Sequence, residues 1–317
     1  MGVRAVSQVG NHPTFSVILP TYNRAHLLAQ ALQSVREQTD QDFEIIVVDD
    51  ASTDQTRSVV DTLASPRLRY IRNSQNLGAA ASRNIAAQQA QGRYLAFLDS
   101  DDRWLPLKLS WQRERFSAGT KDNLAVVYGS VLKEKTDGRQ ELQRARYRGD
   151  VKDIILTYKG VVTGSLSSVV VERQAFLAVG GFDEKLPARQ DYELFLRMSL
   201  AGYRFDFVAE PVAIKQIFGQ DRITANHRKR VLGAIYTFKK HKAVFLAARK
   251  SDHFESLMRA SERLTYLNHP RLSYLVYRYV LKHARPPAWN KKYLGFYLKI
   301  PSLIVARYAM NRLGRIK

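Results

Sequence analysis

Three carboxylates lie within four positions at the end of an apolar run in the stretch YLAFLDSDDRW, residues 94–104. Asp99 and Asp101 are separated by one residue, which places both side chains on the same side of an extended chain. Two carboxylates this close repel each other and resist burial unless a cation compensates them. The chain has no cysteine, so the ligands would be hard oxygens, which favour Mg²⁺ or Mn²⁺. Asp102 is expected to point away from this pair by strand alternation.

A simpler interpretation is a solvated acidic turn, in which Asp99 or Asp102 caps a helix that starts near residue 105. For an isolated Asp-x-Asp motif this alternative is the commoner one, because short motifs often match by chance.

Polar segments also follow two other apolar runs. PTYNR (20–24) follows FSVIL (15–19), and DDAST (49–53) follows FEIIVV (43–48). If these runs are parallel strands, their carboxyl ends share one edge of the sheet, where such sheets bind ligands. The three polar segments therefore predict one pocket.

Strands and helices alternate through the first 100 residues. Continuous apolar runs predict buried strands at 15–19, 43–48 and 94–98, and RLRYIR predicts a short strand at 67–72. Helical spacing predicts helices at 25–38, 53–64 and 78–90, the second with Ser52 or Thr53 as its N-cap. This alternation predicts βαβ units and a mainly parallel sheet.

The pattern loosens beyond residue 105. Strands are predicted at 124–134, 167–172 and 204–214, the last broken at Pro211, with a turn-rich loop at 179–190 and a helix at 191–202.

The net charge of +21 is concentrated at one end. Residues 219–317 hold 22 Lys and Arg but only 4 Asp and Glu, whereas residues 1–218 carry a net charge of only +3. We therefore divide the chain into a tail at 1–13, a catalytic domain at 14–218 and a basic helical region at 219–317. No apolar stretch of signal-peptide or membrane-spanning length is found.

Several blocks in register carry a family resemblance. VILPTYNRAHLLAQALQSVREQTDQDFEIIVVDDASTDQT is followed by NLGAAASRNIA, GRYLAFLDSDDRWLPLKL, GGFDE and RQDYELFLRM. Together they resemble the family-2 glycosyltransferases over residues 14–215. The resemblance implies an α/β GT-A fold, a Rossmann-like mixed and mainly parallel sheet flanked by helices. A basic, mainly helical C-terminal extension would follow.

The resemblance implies an inverting transferase that moves a sugar from a nucleotide diphosphate donor, UDP being favoured, to a glycan or lipid-linked acceptor. Cell-envelope or exopolysaccharide synthesis is the expected setting. The alternative is a GT-A module that binds nucleotide sugars at a membrane surface without catalysis. Intact Asp50, Asp99, Asp101 and Asp191 argue against that alternative.

By the same resemblance, Asp50 contacts the nucleotide base, although it could instead cap the following helix. The segment that wraps the nucleoside comprises Pro20, Thr21, Tyr22 and Arg24. Tyr22 could equally be a core aromatic.

A second matching segment completes the nucleoside and diphosphate side of the pocket and contains Asn76, Gly78 and Arg83. Arg83 has the alternative of lying on a solvated helix face, the usual environment of an arginine.

The resemblance assigns the divalent metal, Mg²⁺ or Mn²⁺, to Asp101. It places Asp99 and Ser100 beside the ribose or donor sugar. Trp104 could line the sugar or acceptor site, or could belong to the core.

Asp191 matches the family's catalytic base, preceded here by Gln190 where the common motif has Glu. The alternative role is a first-turn acid stabilised by the helix dipole, which is compatible with catalysis because a base must be ionised.

The basic third interleaves Lys and Arg with aromatic and aliphatic residues at 238–250 and 274–300. Such segments can lie on anionic lipid, which favours peripheral contact with the inner face of the cell membrane and a cytoplasmic location. Packing on the catalytic domain is the alternative. Nucleic acid is not expected, because no binding motif for it is found.

Overall fold

The computed structural model describes residues 12–118, 123–156, 165–217, 227–247, 258, 261, 270–283 and 300–305. The chain divides into two compact units. The first comprises residues 1–151, 161–184 and 197–218, and the second comprises residues 152–160, 185–196 and 219–317.

A mixed sheet forms the centre of the first unit. Its strands in chain order are β1 (Phe15–Thr21), β2 (Phe43–Asp49), β3 (Leu68–Arg72), β4 (Tyr94–Phe97), β5 (Asp102–Trp104), β6 (Leu124–Lys135), β7 (Gln140–Gln143), β8 (Val169–Glu172) and β9 (Arg204–Ile217). The order across the sheet is β3-β2-β1-β4-β8-β6-β9-β5, with β7 paired to β6. The first four strands are parallel, whereas β8 is antiparallel to both of its neighbours.

The predicted continuous apolar strands are confirmed in this parallel part. Every residue of β1, β2 and β4 is buried, as expected where helices cover both faces of a sheet. In the ladder Thr21 is opposite Asp49 and Ile18 is opposite Phe97. The carboxyl ends of β1, β2 and β4 therefore lie at one edge, and the polar segments that follow them share it.

The helices connect these strands in the predicted order. In the first unit they are α1 (Ala25–Arg36), α2 (Thr56–Thr62), α3 (Ala79–Gln89) and α4 (Lys108–Ala118), with α6 (Arg173–Ala178) after β8. A 3₁₀ turn at Leu166–Ser168 precedes β8. Between these, α5 (Lys152–Leu156) belongs to the second unit, and the boundary between the units falls inside α7 (Gln190–Leu200).

The predicted start of α2 and its caps are wrong. The helix begins at Thr56, and the side chain of Asp54 accepts hydrogen bonds from the amide and hydroxyl of Thr56 at 3.0 and 2.6 Å. Ser52 instead accepts a hydrogen bond from the amide of Asn23, 2.9 Å away. The residues expected to cap the helix therefore connect two loops of the sheet edge.

The predicted break at Pro211 is also wrong, because β9 continues to Ile217. Pro211 pairs with Ser130, where the register with β6 shifts. An irregularity of this kind tolerates proline, which has no amide hydrogen to donate to the ladder. The extension brings Lys215 opposite Asp102 on β5.

Close packing joins β6 to β9 at Gly129. A Cβ on this glycine would lie 2.4 and 2.5 Å from the two γ-methyl groups of Val212. Val212 is fully buried, so glycine is required here by the approach of the two strands.

Beyond residue 226, the described part of the second unit is mainly helical. It contains α8 (His227–Lys240), α9 (Lys242–Ala247) and α10 (Pro270–His283), and residues 300–305 are helical. None of the helices in the described ranges combines the length and hydrophobicity needed to cross a bilayer. Residues 1–11 of the predicted tail lie outside the described residues, as do parts of the two basic aromatic segments.

Candidate active site

The loops after β1 and β2 are joined at the sheet edge. Asn23 and Ala51 both adopt left-handed backbone conformations, with φ of 51° and 65°, which are uncommon for residues with a side chain. The Asn23 amide donates to the hydroxyl of Ser52, and the Asn23 side-chain oxygen accepts from the Thr53 amide at 2.8 Å. These bonds fix the two loops against each other.

Asp50 is buried and organises the segment before α3. Its carboxylate accepts hydrogen bonds from the side-chain amide of Asn73 at 2.8 Å and from the backbone amides of Leu77 at 2.8 Å and Gly78 at 2.7 Å. Gly78 supports this turn with a positive φ of 88°. The alternative of Asp50 as the cap of α2 is wrong, since its oxygens bond to the loop after β3.

Asp49 is a residue that the sequence reasoning did not assign. It is fully buried, and its carboxylate accepts from the amide of Ser52 at 2.8 Å, the hydroxyl of Tyr70 at 2.5 Å and the guanidinium of Arg72 at 3.1 Å. Its position next to Asp50 at the end of β2 could have drawn attention to it. Its partners Tyr70 and Arg72, however, are brought close only by the pairing of β2 with β3.

The three carboxylates at the end of β4 are close together. Asp99, Asp101 and Asp102 each present an oxygen within 4.8 Å of the others. The expectation that Asp102 points away from the pair is therefore wrong. Asp102 begins β5, is buried, and accepts from the hydroxyls of Ser165 and Ser167 at 2.8 and 2.7 Å.

The alternative in which these acids cap a helix is wrong as well. The following helix begins only at Lys108, six residues beyond Asp102, and a short strand intervenes.

Two arginines neutralise this acidic cluster. The guanidinium of Arg24 lies 2.8 Å from the carboxylate of Asp101, and that of Arg83 lies 2.5 Å from Asp99. Arg83 is buried and its guanidinium lies 5.7 Å from the centre of the Phe182 ring, so the alternative of a solvated position is wrong. Among the described residues, its buried Nε has no hydrogen-bond partner.

Lys215 is a third cation, one that the sequence reasoning missed. Its Cα is paired with that of Asp102 across the β5–β9 ladder. A lysine in a strand carries no signal of this role, because the pairing depends on the extension of β9.

The pKa values of two of the carboxyls reflect this arrangement. Partial burial raises the pKa of Asp99, but the positive charges of Arg83 and Lys215 outweigh it and the pKa lies below its usual value. Burial, followed by the negative charges of Asp99 and Asp101, raises the pKa of Asp102 to about 7. The pKa of Asp99 is therefore lowered and that of Asp102 is raised, although the two carboxyls lie in one cluster.

The other predicted residues divide between the edge and the core. Pro20 and Thr21 end β1 and are buried, and Ser100 is buried beside the acids. Tyr22 is 45% exposed, so its alternative as a core aromatic is wrong. Asn76 is exposed, and its neighbour Asn73 makes the buried contact with Asp50 instead.

Trp104 belongs to the core. It is buried, its indole nitrogen donates to the carbonyl of Ser167 at 2.8 Å, and the Nζ of Lys108 lies 4.3 Å from the ring centre. Lys108 is itself fully buried and donates to the side-chain oxygen of Gln112 at 2.5 Å. Burial lowers the pKa of Lys108 well below its usual value.

Asp191 lies in the first turn of α7, as predicted. Its carboxylate accepts from the amide of Tyr192 at 2.8 Å, and the Tyr192 hydroxyl donates to the carbonyl of Ile155 at 2.7 Å. Glu193 is fully buried and lies 2.9 Å from both Lys240 and His241. These contacts hold the first turn of α7 within the second unit.

The acidic cluster fits a divalent cation by its chemistry. The donors are carboxylate oxygens, which suit Mg²⁺ and Mn²⁺, and they converge within 4.8 Å. The adjacent arginines would suit the oxygens of an anion brought together with the cation, as would the Nε of Arg83, which has no partner in the part of the chain that the structure describes.

Comparison with known proteins gives a consistent result. Residues 16–176 match the model of "Glycosyl transferase family 2". The chain is 33% identical over 265 residues to WcaA of Escherichia coli, described as a colanic acid biosynthesis glycosyl transferase, covering 81% of this chain and 91% of the relative. It is 32% identical over 222 residues to the GalNAc(5)-diNAcBac-PP-undecaprenol beta-1,3-glucosyltransferase of Campylobacter jejuni, covering 68% and 69% of the two chains.

Two solved structures are similar in fold. S. aureus TarS in complex with UDP-GlcNAc gives a TM-score of 0.61 at 17% identity, covering 95% of this chain and 92% of that one. A mannosyltransferase of Pyrobaculum calidifontis in complex with GDP-Man and Mn²⁺ gives a TM-score of 0.55 at 20% identity, covering 95% and 87%. The similarity in fold thus extends to proteins of low sequence identity.

Proposed function

This chain belongs to glycosyl transferase family 2, and from that premise we propose that it is an inverting, metal-dependent transferase of cell-envelope polysaccharide synthesis. It would move a sugar from a nucleotide diphosphate donor to a glycan or lipid-linked acceptor. A UDP-sugar is the favoured donor, because the similar TarS structure holds UDP-GlcNAc. The name of the Campylobacter jejuni relative includes an undecaprenol-linked acceptor, which favours a lipid-linked acceptor here.

The observation that carries the proposal is the pairing of acids with arginines at one sheet edge. Asp99 and Asp101 are matched by Arg83 and Arg24 at 2.5 and 2.8 Å. A cation and a diphosphate can enter such a site together, since the cation takes the carboxylates and the diphosphate takes the guanidiniums. A purely structural ion-pair network would not need three acids at the carboxyl ends of the parallel strands, which is where such sheets bind ligands.

Asp101, together with Asp99, would hold Mg²⁺ or Mn²⁺. A bound divalent cation supplies Lewis-acid stabilisation of the charge that develops on a departing nucleoside diphosphate. Arg24 and Arg83 would bind oxygens of the diphosphate. The Nε of Arg83, to which no described residue bonds, offers one further donor for this purpose.

The nucleoside side of the pocket would be formed by two segments. Asp50 holds the side-chain amide of Asn73 and the backbone amides of Leu77 and Gly78 in place, and these three hydrogen bonds occupy three positions of its carboxylate. A remaining lone pair of its carboxylate could still accept from a base. The exposed ring of Tyr22 is available to cover the nucleoside.

Asp191 would act as the general base. In a direct displacement the acceptor hydroxyl gives its proton to the Asp191 carboxylate while its oxygen bonds to the anomeric carbon. The bond from that carbon to the diphosphate oxygen breaks, and the nucleoside diphosphate leaves with the electron pair, which inverts the configuration. The contact of Asp191 with the amide of Tyr192 keeps the carboxylate oriented within its turn.

The acceptor would be reached at the inner face of the cell membrane, with the chain in the cytoplasm. The supporting observations are the basic C-terminal third and the lipid-linked acceptor in the name of a relative.

The test is a donor panel. Wild-type protein is incubated with UDP-, dTDP- and GDP-sugars, with Mn²⁺, Mg²⁺ or EDTA, and release of the nucleoside diphosphate is measured. We expect release from one donor class, lost with EDTA and in Asp101→Ala but retained in the control Asp61→Ala, an exposed acid of α2. Binding of a nucleotide sugar without release or transfer would favour the inactive module, and no binding of any donor would overturn the proposal.

A further inference from the structure

The helix α10 presents a mixed apolar and basic face to solvent. Tyr274 is 47% exposed, Leu275 62% and Leu281 38%, and Arg278 and Lys282 are also exposed. At about 100° per residue these five positions fall within an arc of about 120° on one side of the helix. We refer to Tyr274, Leu275, Arg278, Leu281 and Lys282 as the docking face.

The opposite side of α10 is fixed within the second unit. Ser273, Val276 and Tyr277 are buried. The Ser273 hydroxyl donates to the carbonyl of Ser261 at 2.6 Å, and the Ser261 hydroxyl donates to the carbonyl of Ser273 at 2.8 Å. The docking face is therefore exposed because the opposite side of the helix is the one that packs and forms these hydrogen bonds.

The composition of the docking face matches a bilayer surface. Its two leucines can enter the boundary between headgroups and acyl chains, while Tyr274 is suited to the headgroup level. Arg278 lies beside Tyr274, with its guanidinium 5.7 Å from the ring centre, so apolar and cationic groups would meet the surface together. Lysine and arginine here would pair with lipid phosphates.

The surrounding charge favours an anionic bilayer over a second copy of this chain. In the described helices α8, α9 and α10, residues 227–247 and 270–283, the sequence contains nine Lys and Arg and no Asp or Glu. A second copy of this chain would bring the same positive charge and be repelled. An anionic bilayer complements both the charge and the exposed apolar side chains.

We propose that the docking face of α10 lies on the surface of anionic membranes, with Leu275 and Leu281 in contact with the lipid and Arg278 and Lys282 at its phosphates. This deepens the proposed function, because it names the surface through which a lipid-linked acceptor would be approached.

The test is co-sedimentation of the full chain with vesicles of phosphatidylcholine, with and without phosphatidylglycerol. We expect binding only to the anionic vesicles and a decrease with salt. Removing two basic residues in R278Q/K282Q should weaken binding by about 30-fold, at about fivefold per charge. Leu275→Ser should weaken it by about tenfold through the lost apolar contact.

The matched control is R228Q/K242Q, which removes two exposed basic residues from α8 and α9. It should bind within a few-fold of wild type. Equal losses in both double variants would show attraction by overall charge and overturn the assignment to this face. Binding of R278Q/K282Q and Leu275→Ser at wild-type strength would overturn it too.

Two further readouts separate the alternatives. Sedimentation velocity that showed a dimer in the wild type and a monomer in Leu275→Ser would assign the face to a second copy and overturn the proposal. Metal-dependent release from a water-soluble donor should be unchanged in the docking-face variants. If the wild type released nothing but still bound vesicles through this face, the proposed function would fail while the docking surface stood.

Discussion

The ion pair of Arg24 and Asp101 makes a prediction about metal affinity. A cation that binds Asp101 must displace or share the guanidinium 2.8 Å away, and it is also repelled by that positive charge. Replacing Arg24 with Gln should therefore tighten Mn²⁺ binding in the absence of nucleotide. The same change should weaken the binding of UDP at saturating Mn²⁺, because a cation that would bind the diphosphate is lost.

The size of the effect follows from the exposure of the pair. The two side chains are 31% and 22% exposed. A fully exposed pair contributes about 1 kcal/mol at most, and two charges about 4 Å apart at an effective dielectric constant of 20 give about 4 kcal/mol as an upper value. Partial exposure favours a net value of about 1.5 kcal/mol, or roughly tenfold in affinity.

The assay is a titration of Mn²⁺ followed by the electron paramagnetic resonance signal of the free ion, with and without UDP. Arg57→Gln is the matched control, since it removes the same charge from an exposed pair with Asp61 on α2, away from the acidic cluster. We expect Mn²⁺ to bind Arg24→Gln about tenfold more tightly without UDP. Unchanged or weaker Mn²⁺ binding in Arg24→Gln would refute the reasoning that Arg24 takes the place of the cation at Asp101.

Three other predictions concern catalysis and stability. Asp191→Asn should lower kcat by about 10²–10⁴ through loss of the general base while leaving the Kd of UDP unchanged, and full turnover would exclude Asp191 as the base. Gly129→Ala should destabilise the fold by about 1–3 kcal/mol, because its Cβ meets the γ-methyl groups of Val212 at 2.4 and 2.5 Å; urea unfolding should show that Val212→Ala costs less in this background than alone. Burial lowers the pKa of Lys108, so the unfolded chain binds more protons and stability should rise with pH toward 10.5, its ordinary value. In Lys108→Met this rise should be absent, and equal slopes of unfolding free energy against pH in the two proteins would contradict the assignment.

The parallel half of the fold could be predicted from the sequence because it depends on local pattern. Continuous apolar runs such as FSVIL and FEIIVV are typical of strands that helices cover on both faces of a sheet. The convergence of the polar segments at 20–24, 49–53 and 99–104 then follows from the parallel direction of the strands.

The features that were missed depend on pairing between distant segments. Strand alternation predicts that Asp102 points away from Asp99 and Asp101, but the antiparallel pairing of β5 with β9 places it among buried serines and opposite Lys215. Likewise, no local pattern shows that Asp50 bonds to the amides of Leu77 and Gly78. Cross-strand register and loop-to-loop contacts cannot be read from the spacing of residues in one segment.

The central claim is that Asp99 and Asp101 hold a divalent cation against the diphosphate of a sugar donor. The most direct measurement is an anomalous diffraction map from crystals soaked with UDP and Mn²⁺. We expect the manganese peak at coordination distance from the Asp101 carboxylate, with the diphosphate beside Arg24 and Arg83 and the base near Asp50. A peak remote from Asp101, or a nucleotide bound away from the edge formed by β1, β2 and β4, would contradict the account.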